Sequence, residues 1–81
     1  MHELAITEGI IRLVSSEAEK QGFKKCLSIT LAVGKYSGIV PECVTDFFPI
    51  AAEGTIAENA ELRFIESSDQ FRCYVENLTV E

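Results

Sequence analysis

The chain has 81 residues, 47% of them hydrophobic, and carries seven Lys and Arg against thirteen Asp and Glu, for a formal net charge of -6. That length accommodates a single domain spanning 1–81 with a thin core, since a domain of this size buries only about 60 to 65% of the surface its unfolded chain exposes. The acidity repels phosphate backbones and anionic lipid, which argues against nucleic-acid and membrane partners, and no run of about 18 apolar residues is present to cross a bilayer.

From Glu3 to Gln21, Ile6, Ile10, Leu13, Val14 and Ala18 fall near one side of a helix, and Gly22 follows where a helix stops. Between Lys25 and Lys35, Leu27, Ile29, Leu31 and Val33 alternate with Ser28, Thr30 and Ala32, the period of a strand with one buried face. Gly34 and Gly38 bracket the turn that ends it. Pro41 suits the first turn of a second helix, whose apolar stripe is Val44, Phe47, Phe48 and Ala51, with a stop near Gly54. Pro49 removes an interior donor and crowds the carbonyl of Thr45, which predicts a kink or a break into two pieces. After a loop through Asn59, Leu62 to Ile65 reads as a strand, Ser67-Ser68-Asp69 as a turn and Phe71 to Val80 as a strand, together a hairpin. The expected fold is α+β, a two-layer sandwich with a three-stranded sheet and two helices packed on one face.

His2 is the only histidine, so a site of several histidines within one chain is excluded and a metal would have to be caught at the amino terminus. There the Met1 amine, the His2 backbone amide once deprotonated and the His2 imidazole are three nitrogens able to wrap one ion in fused, flat chelate rings. A nitrogen-rich tetragonal set favours Ni(II) or Cu(II), with Glu3 or another donor in the fourth position. A lone histidine near a terminus is more often simply solvated, and an acidic surface usually means solubility. Cys26, Cys43 and Cys73 are odd in number, widely spaced and contain no CxxC pair, which fits reduced thiols serving as small buried hydrophobes. The amino terminus lacks the basic and apolar segments of a secretory signal, so a cytoplasmic protein is expected and the acceptor triplet Asn77-Leu78-Thr79 carries no meaning. No Ser/His/Asp grouping, phosphate loop or pocketed carboxylate pair points to an enzyme.

Three stretches change the weight of the terminal histidine. Met1-His2-Glu3-Leu4, then Val33-Gly34-Lys35-Tyr36-Ser37-Gly38-Ile39-Val40-Pro41-Glu42, then Ala52-Glu53-Gly54-Thr55-Ile56-Ala57-Glu58-Asn59-Ala60-Glu61-Leu62 resemble, in order and spacing, the hydrogenase nickel-incorporation family HypA/HybF over about residues 1 to 66. The resemblance implies a nickel metallochaperone that binds Ni(II) through Met1, His2 and Glu3. Its implied partners are a nickel-handling GTPase and the large subunit of a nickel-iron hydrogenase, and in some organisms urease. It also implies, in some members, a further acidic ligand before the second helix; Val40 stands near that place and Glu42 is the nearest carboxylate, although a solvated first-turn helix charge accounts for Glu42 equally.

The sequence departs from the family where its members carry a zinc ribbon of two CxxC pairs. Here Cys73-Tyr74-Val75-Glu76 lacks the second thiol, and Tyr74 to Glu81 matches the strand that follows the ribbon. The expectation is therefore that the ribbon is absent, replaced by a turn near 67–70, with no structural zinc and without any control of metal binding exerted through that module. Two other readings stand beside the nickel carrier. One is an adaptor that docks maturation partners without carrying metal; the other is an oligomerising module, a homodimer joined through the open sheet edge.

Overall fold

A computed structural model describes residues 3–81. Its elements run α1 (Glu3–Gln21), β1 (Cys26–Val33), α2 (Pro41–Ala51), β2 (Glu61–Glu66) and β3 (Cys73–Val80). The two helices and the mixed three-stranded sheet form the expected two-layer α+β sandwich, its shared core drawn from Ile10, Ile11, Val14, Ile29, Leu31, Val44 and Phe48. No helix among the described residues is long and apolar enough to cross a membrane.

Helix α1 has the predicted bounds but a rotated buried face. Glu3, Thr7, Ile10, Ile11 and Val14 point inward, the spacing of one helical stripe, while Leu13 is exposed. It ends at Gly22, whose φ of 81° is the left-handed conformation that glycine adopts freely, with the Gly22 N–H donating to the Ala18 carbonyl. Helix α2 is not divided by Pro49. The proline stands in the last turn, the helix closes at Ala51, and the missing donor costs a bond only where the ladder is about to end.

Strand β1 is central, and the sheet order is β2-β1-β3, with β2 parallel and β3 antiparallel to it. The expected hairpin is therefore corrected: β2 and β3 lie on opposite sides of β1 and do not pair with each other. The physical reason lies in α2, which carries the chain back across the layer so that β2 enters parallel to β1; β3 then takes the far edge of β1, which makes that strand central, rather than the free outer edge of β2. Ile29 and Leu31 are fully buried toward the helices, while Ser28 and Ala32 are buried on the other face between flanking strands. The Ser28 and Thr79 hydroxyls bond to each other across β1 and β3, which satisfies the buried one.

The predicted alternation fails at Leu27 because the pairing skips it: Cys26 opposes Val80 and Ser28 opposes Thr79. This bulge releases Leu27 to the surface and turns Cys26 into the same core as Ile29 and Leu31. A second irregularity, between Thr30 and Leu31, leaves Glu76 without a direct partner and keeps Leu78 and Val75 on the core side.

Residues 67 to 72 must cross the end of β1, a span of about 10 Å given two strand spacings of about 4.8 Å. The crossing is pinned by the Ser67 N–H donating to the Val33 carbonyl, the Gly34 N–H to the Arg72 carbonyl and the Tyr36 N–H to the Gln70 carbonyl. Gly34 lies directly beneath, and a Cβ there would overlap the carbonyl group of Gln70 and the carbonyl oxygen of Asp69. Gly34→Ala should destabilise the fold by about 1–3 kcal/mol through overpacking against backbone. Gly9→Ala, where a Cβ meets only the Arg12 guanidinium at 3.9 Å, should instead stabilise α1 by roughly 0.5–1 kcal/mol. Urea unfolding of the two variants checks the opposite signs.

Candidate functional site

Of the residues expected at the metal site, Met1 and His2 lie outside the described residues. Glu3 opens α1 with only 1% of its surface exposed, an unusual position for a carboxylate. Its Oε2 accepts the backbone N–H of Val40 at 3.0 Å, and its carbonyl accepts the Thr7 hydroxyl at 2.6 Å. Val40 is the N-cap residue of α2, with extended φ and ψ of -102° and 111° and no side-chain oxygen to cap with. In a capping box a carboxylate three residues into the helix takes the N-cap amide. That position in α2 is Cys43, and Glu3 supplies the carboxylate from the other helix instead.

The contact joins the starts of both helices on one carboxylate, where their unsatisfied N–H groups favour negative charge. Pro41 at the first position of α2 has no N–H to satisfy, so the Val40 amide is the outermost donor of this helix start. Sequence reasoning considered Glu3 only as a metal ligand, largely on the family resemblance, and missed this structural task. The signal was present: Glu3 and Thr7 stand four residues apart on the stripe that continues through Ile10 and Val14.

Glu42 is exposed and lines a groove with Pro41, Thr45, Asp46 and Phe64, between α2 and β2. Val40, which stands near the place of the implied acidic ligand, contributes its backbone N–H to Glu3. Among the described residues no group of three or more His, Cys, Asp or Glu is arranged to hold a metal ion.

The thiols are separated in role. Cys26 is fully buried, with its Sγ donating to the Ser28 carbonyl at 3.4 Å, while Cys43 and Cys73 are half-buried. Burial pushes the thiols of Cys26 and Cys73 above their ordinary value of 9.0. Cys73 lies on the floor of an apolar groove between α1 and β3, with Ile6, Gly9, Leu13 and Val75 around it.

The sequence profile described as hydrogenase/urease nickel incorporation, metallochaperone, hypA matches residues 1–80. Among curated relatives, the hydrogenase maturation factor HypA of Caldanaerobacter subterraneus subsp. tengcongensis is 42% identical over 73 residues, covering 90% of this chain and 64% of that protein. The hydrogenase maturation factor HypA 2 of Bradyrhizobium diazoefficiens is 37% identical over 81 residues, covering all of this chain and 72% of its own length. This chain thus spans just under two thirds of the length of several relatives it matches. The solution structure of the Ni metallochaperone HypA from Helicobacter pylori shares the fold with a TM-score of 0.77 at 16% identity, over 100% of this chain and 87% of that one.

Two predictions follow from the geometry. Glu3→Ala should cost about 2 kcal/mol, the range for a hydrogen bond to a charged group, and speed amide exchange at Val40, whereas Glu3→Gln should retain most of the protection through its remaining carbonyl oxygen. Exchange measured by NMR in both variants checks this. For the thiols, a folded-state value above the unfolded one favours the neutral form, so their contribution to stability is complete below the unfolded-state value and falls as pH rises through the folded-state values. Urea midpoints should therefore decline above about pH 9 in the wild type. The Cys26→Ala, Cys73→Ala double variant should show a shallower decline.

Proposed function

Because the chain belongs to the HypA family of hydrogenase/urease nickel-incorporation proteins, we propose that it carries Ni(II) at its amino terminus and delivers it for the maturation of a nickel-iron hydrogenase, or of urease. The family is that of a metallochaperone rather than of an enzyme. The ligands on this reading are the Met1 amine, the His2 amide and imidazole, and Glu3, with Glu42 as the remaining candidate carboxylate. A planar nitrogen-rich set suits Ni(II) and releases protons as it forms, so binding weakens as pH falls.

The observation that carries this reading is the anchoring of Glu3. A buried carboxylate joined to the Val40 amide holds the first turn of α1 against the start of α2. His2 is one peptide bond away, so the nitrogens that would wrap the ion start from a fixed point of the fold. In this role Glu3 positions the terminal chelate, and its carboxylate can reach a metal only by sharing or leaving the Val40 amide. The recipients, a nickel-handling GTPase and a hydrogenase large subunit, follow from the family resemblance.

The connection through residues 67 to 72 stands, on the same reading, where the family's zinc ribbon is inserted, and the nickel-binding domain functions without structural zinc. The sheet supports this: β2 and β3 each pair with β1 alone, so neither depends on an intervening module for its partner.

The test is a Ni(II) titration of protein with a free Met1 amine, followed by absorption spectroscopy and repeated on His2→Ala. One equivalent bound with the d–d band of a planar site, lost in the variant, is the expected result. Absence of specific binding would overturn the carrier reading in favour of an adaptor. Metal analysis of the purified protein should find no stoichiometric zinc, and one zinc per chain would refute the zinc-free arrangement.

A further inference from the structure

The end of the sheet where residues 67 to 72 cross β1 presents aromatic rings and cations together. Tyr36 and Phe71 are 59% and 72% exposed, and their rings lie in contact, centroids 5.8 Å apart and tilted by 33°. Lys35 places its ammonium 5.6 Å from the Tyr36 ring centroid, and Arg72 places its guanidinium 5.6 Å from that of Tyr74. We propose that this surface, formed by Lys35, Tyr36, Phe71 and Arg72 with Tyr74, is a docking site for an acidic peptide segment of a partner protein that carries an apolar or aromatic anchor residue.

Four observations support that partner. Exposed aromatic side chains are costly to leave in water and, with Arg, are the residues enriched at the centres of protein interfaces. Both cations rest over aromatic faces, and among the described residues neither forms an ion pair, the pairs there being Lys20 with Glu17 and Arg63 with Glu61. In a chain of net charge -6, two of the seven basic residues thus lie over rings of this stretch, Lys35 over the exposed Tyr36 and Arg72, next in sequence to the exposed Phe71, over the half-buried Tyr74. Asp69, two residues before Phe71, has its carboxylate turned onto the Phe71 N–H, which it accepts at 3.1 Å.

The surface is also held in place before any partner arrives. The Tyr36 N–H donates to the Gln70 carbonyl at 2.7 Å, the Gly34 N–H to the Arg72 carbonyl at 2.7 Å, and the Asp69 N–H to the Ser67 hydroxyl at 3.1 Å. A preformed site loses less conformational freedom on binding.

A second copy of the chain is the weaker occupant, because a symmetric contact through this patch would bring Lys35 and Arg72 against their own images. Single-stranded nucleic acid also stacks on aromatics, but two cations on a chain of net charge -6 offer little to a backbone charged at every nucleotide.

The test is an NMR titration of the isotope-labelled chain with the blocked peptide Asp-Glu-Trp-Glu-Asp, with Lys-Lys-Trp-Lys-Lys and with oligothymidine. The expected result is that the acidic peptide alone shifts the amides of Lys35, Tyr36, Phe71 and Arg72. The double variant K35E/R72E should weaken it by about tenfold, as expected for reversing two exposed charges, and Phe71→Ala should weaken it too. All three side chains are exposed, so the variants should keep the wild-type spectrum elsewhere. Equal binding of the basic peptide, tighter binding of the oligonucleotide, shifts confined to another surface, or no shifts at all would each overturn the proposal.

Discussion

Strand β1 is bonded on both edges and buried on both faces, and this constraint arranges the rest of the molecule. A strand with Ile29 and Leu31 against the helices and the small side chains of Ser28 and Ala32 buried on the other face between flanking strands must have neighbours on both edges. With β2 delivered to one edge by the α2 crossover, β3 has a single position left, and the chain can reach it only by passing over the end of β1. The passage is possible because the residue beneath it is glycine. Gly34 thus permits a topology that β1 requires, and the carbonyls of Gln70 and Arg72 gain partners from the passage itself.

The elements were legible in the residues because hydrophobic period and punctuation are local properties. Helix α1 could be bounded from its stripe and Gly22, and the second helix from Pro41 and the stop before Gly54. What was not legible depends on partners distant in sequence. Leu62 to Ile65 and Phe71 to Val80, separated by a turn sequence, have the pattern of a hairpin, and nothing in that stretch records that β1 lies between them. The bulge at Leu27 likewise arises from register with Thr79 and Val80, so an alternation that looked regular was not. Phe71 was assigned to a strand on its aromatic character, whereas the crossing places it in the turn with most of its surface in water.

The candidate site was legible to a different degree. Its residue types alone pointed only weakly to a terminal chelate, on residues outside those described; what the profile over residues 1–80 agrees with is the family that the three short stretches suggested. The structural task of Glu3 was harder to see, since a carboxylate beside a lone histidine reads first as a ligand. Its place on the inner stripe of α1, in register with Thr7, Ile10 and Val14, was the clue that it is also a buried acceptor. A carboxylate buried at this depth needs strong donors, and the amide at the start of α2 is one that Val40 cannot satisfy with its own side chain.

Both proposed features meet in the segment from Gly34 to Val40. Its first residues are held by the crossing, through the Gly34 and Tyr36 amides, and its last by Glu3, through the Val40 amide. Between them the Ser37 N–H returns to the Gly34 carbonyl at 3.1 Å, and the Ile39 N–H to the Ser37 hydroxyl at 3.3 Å. A short segment fixed at both ends and braced in the middle transmits displacement better than a free loop, because movement at one anchor must be taken up within a few residues or passed to the other. Contact at the Tyr36 surface and rearrangement at Glu3 are therefore mechanically adjacent, although the aromatic surface and the amino terminus are built from different elements. The physical quantity that connects them is the Val40 hydrogen bond, which lies on the path between them and belongs to both helices.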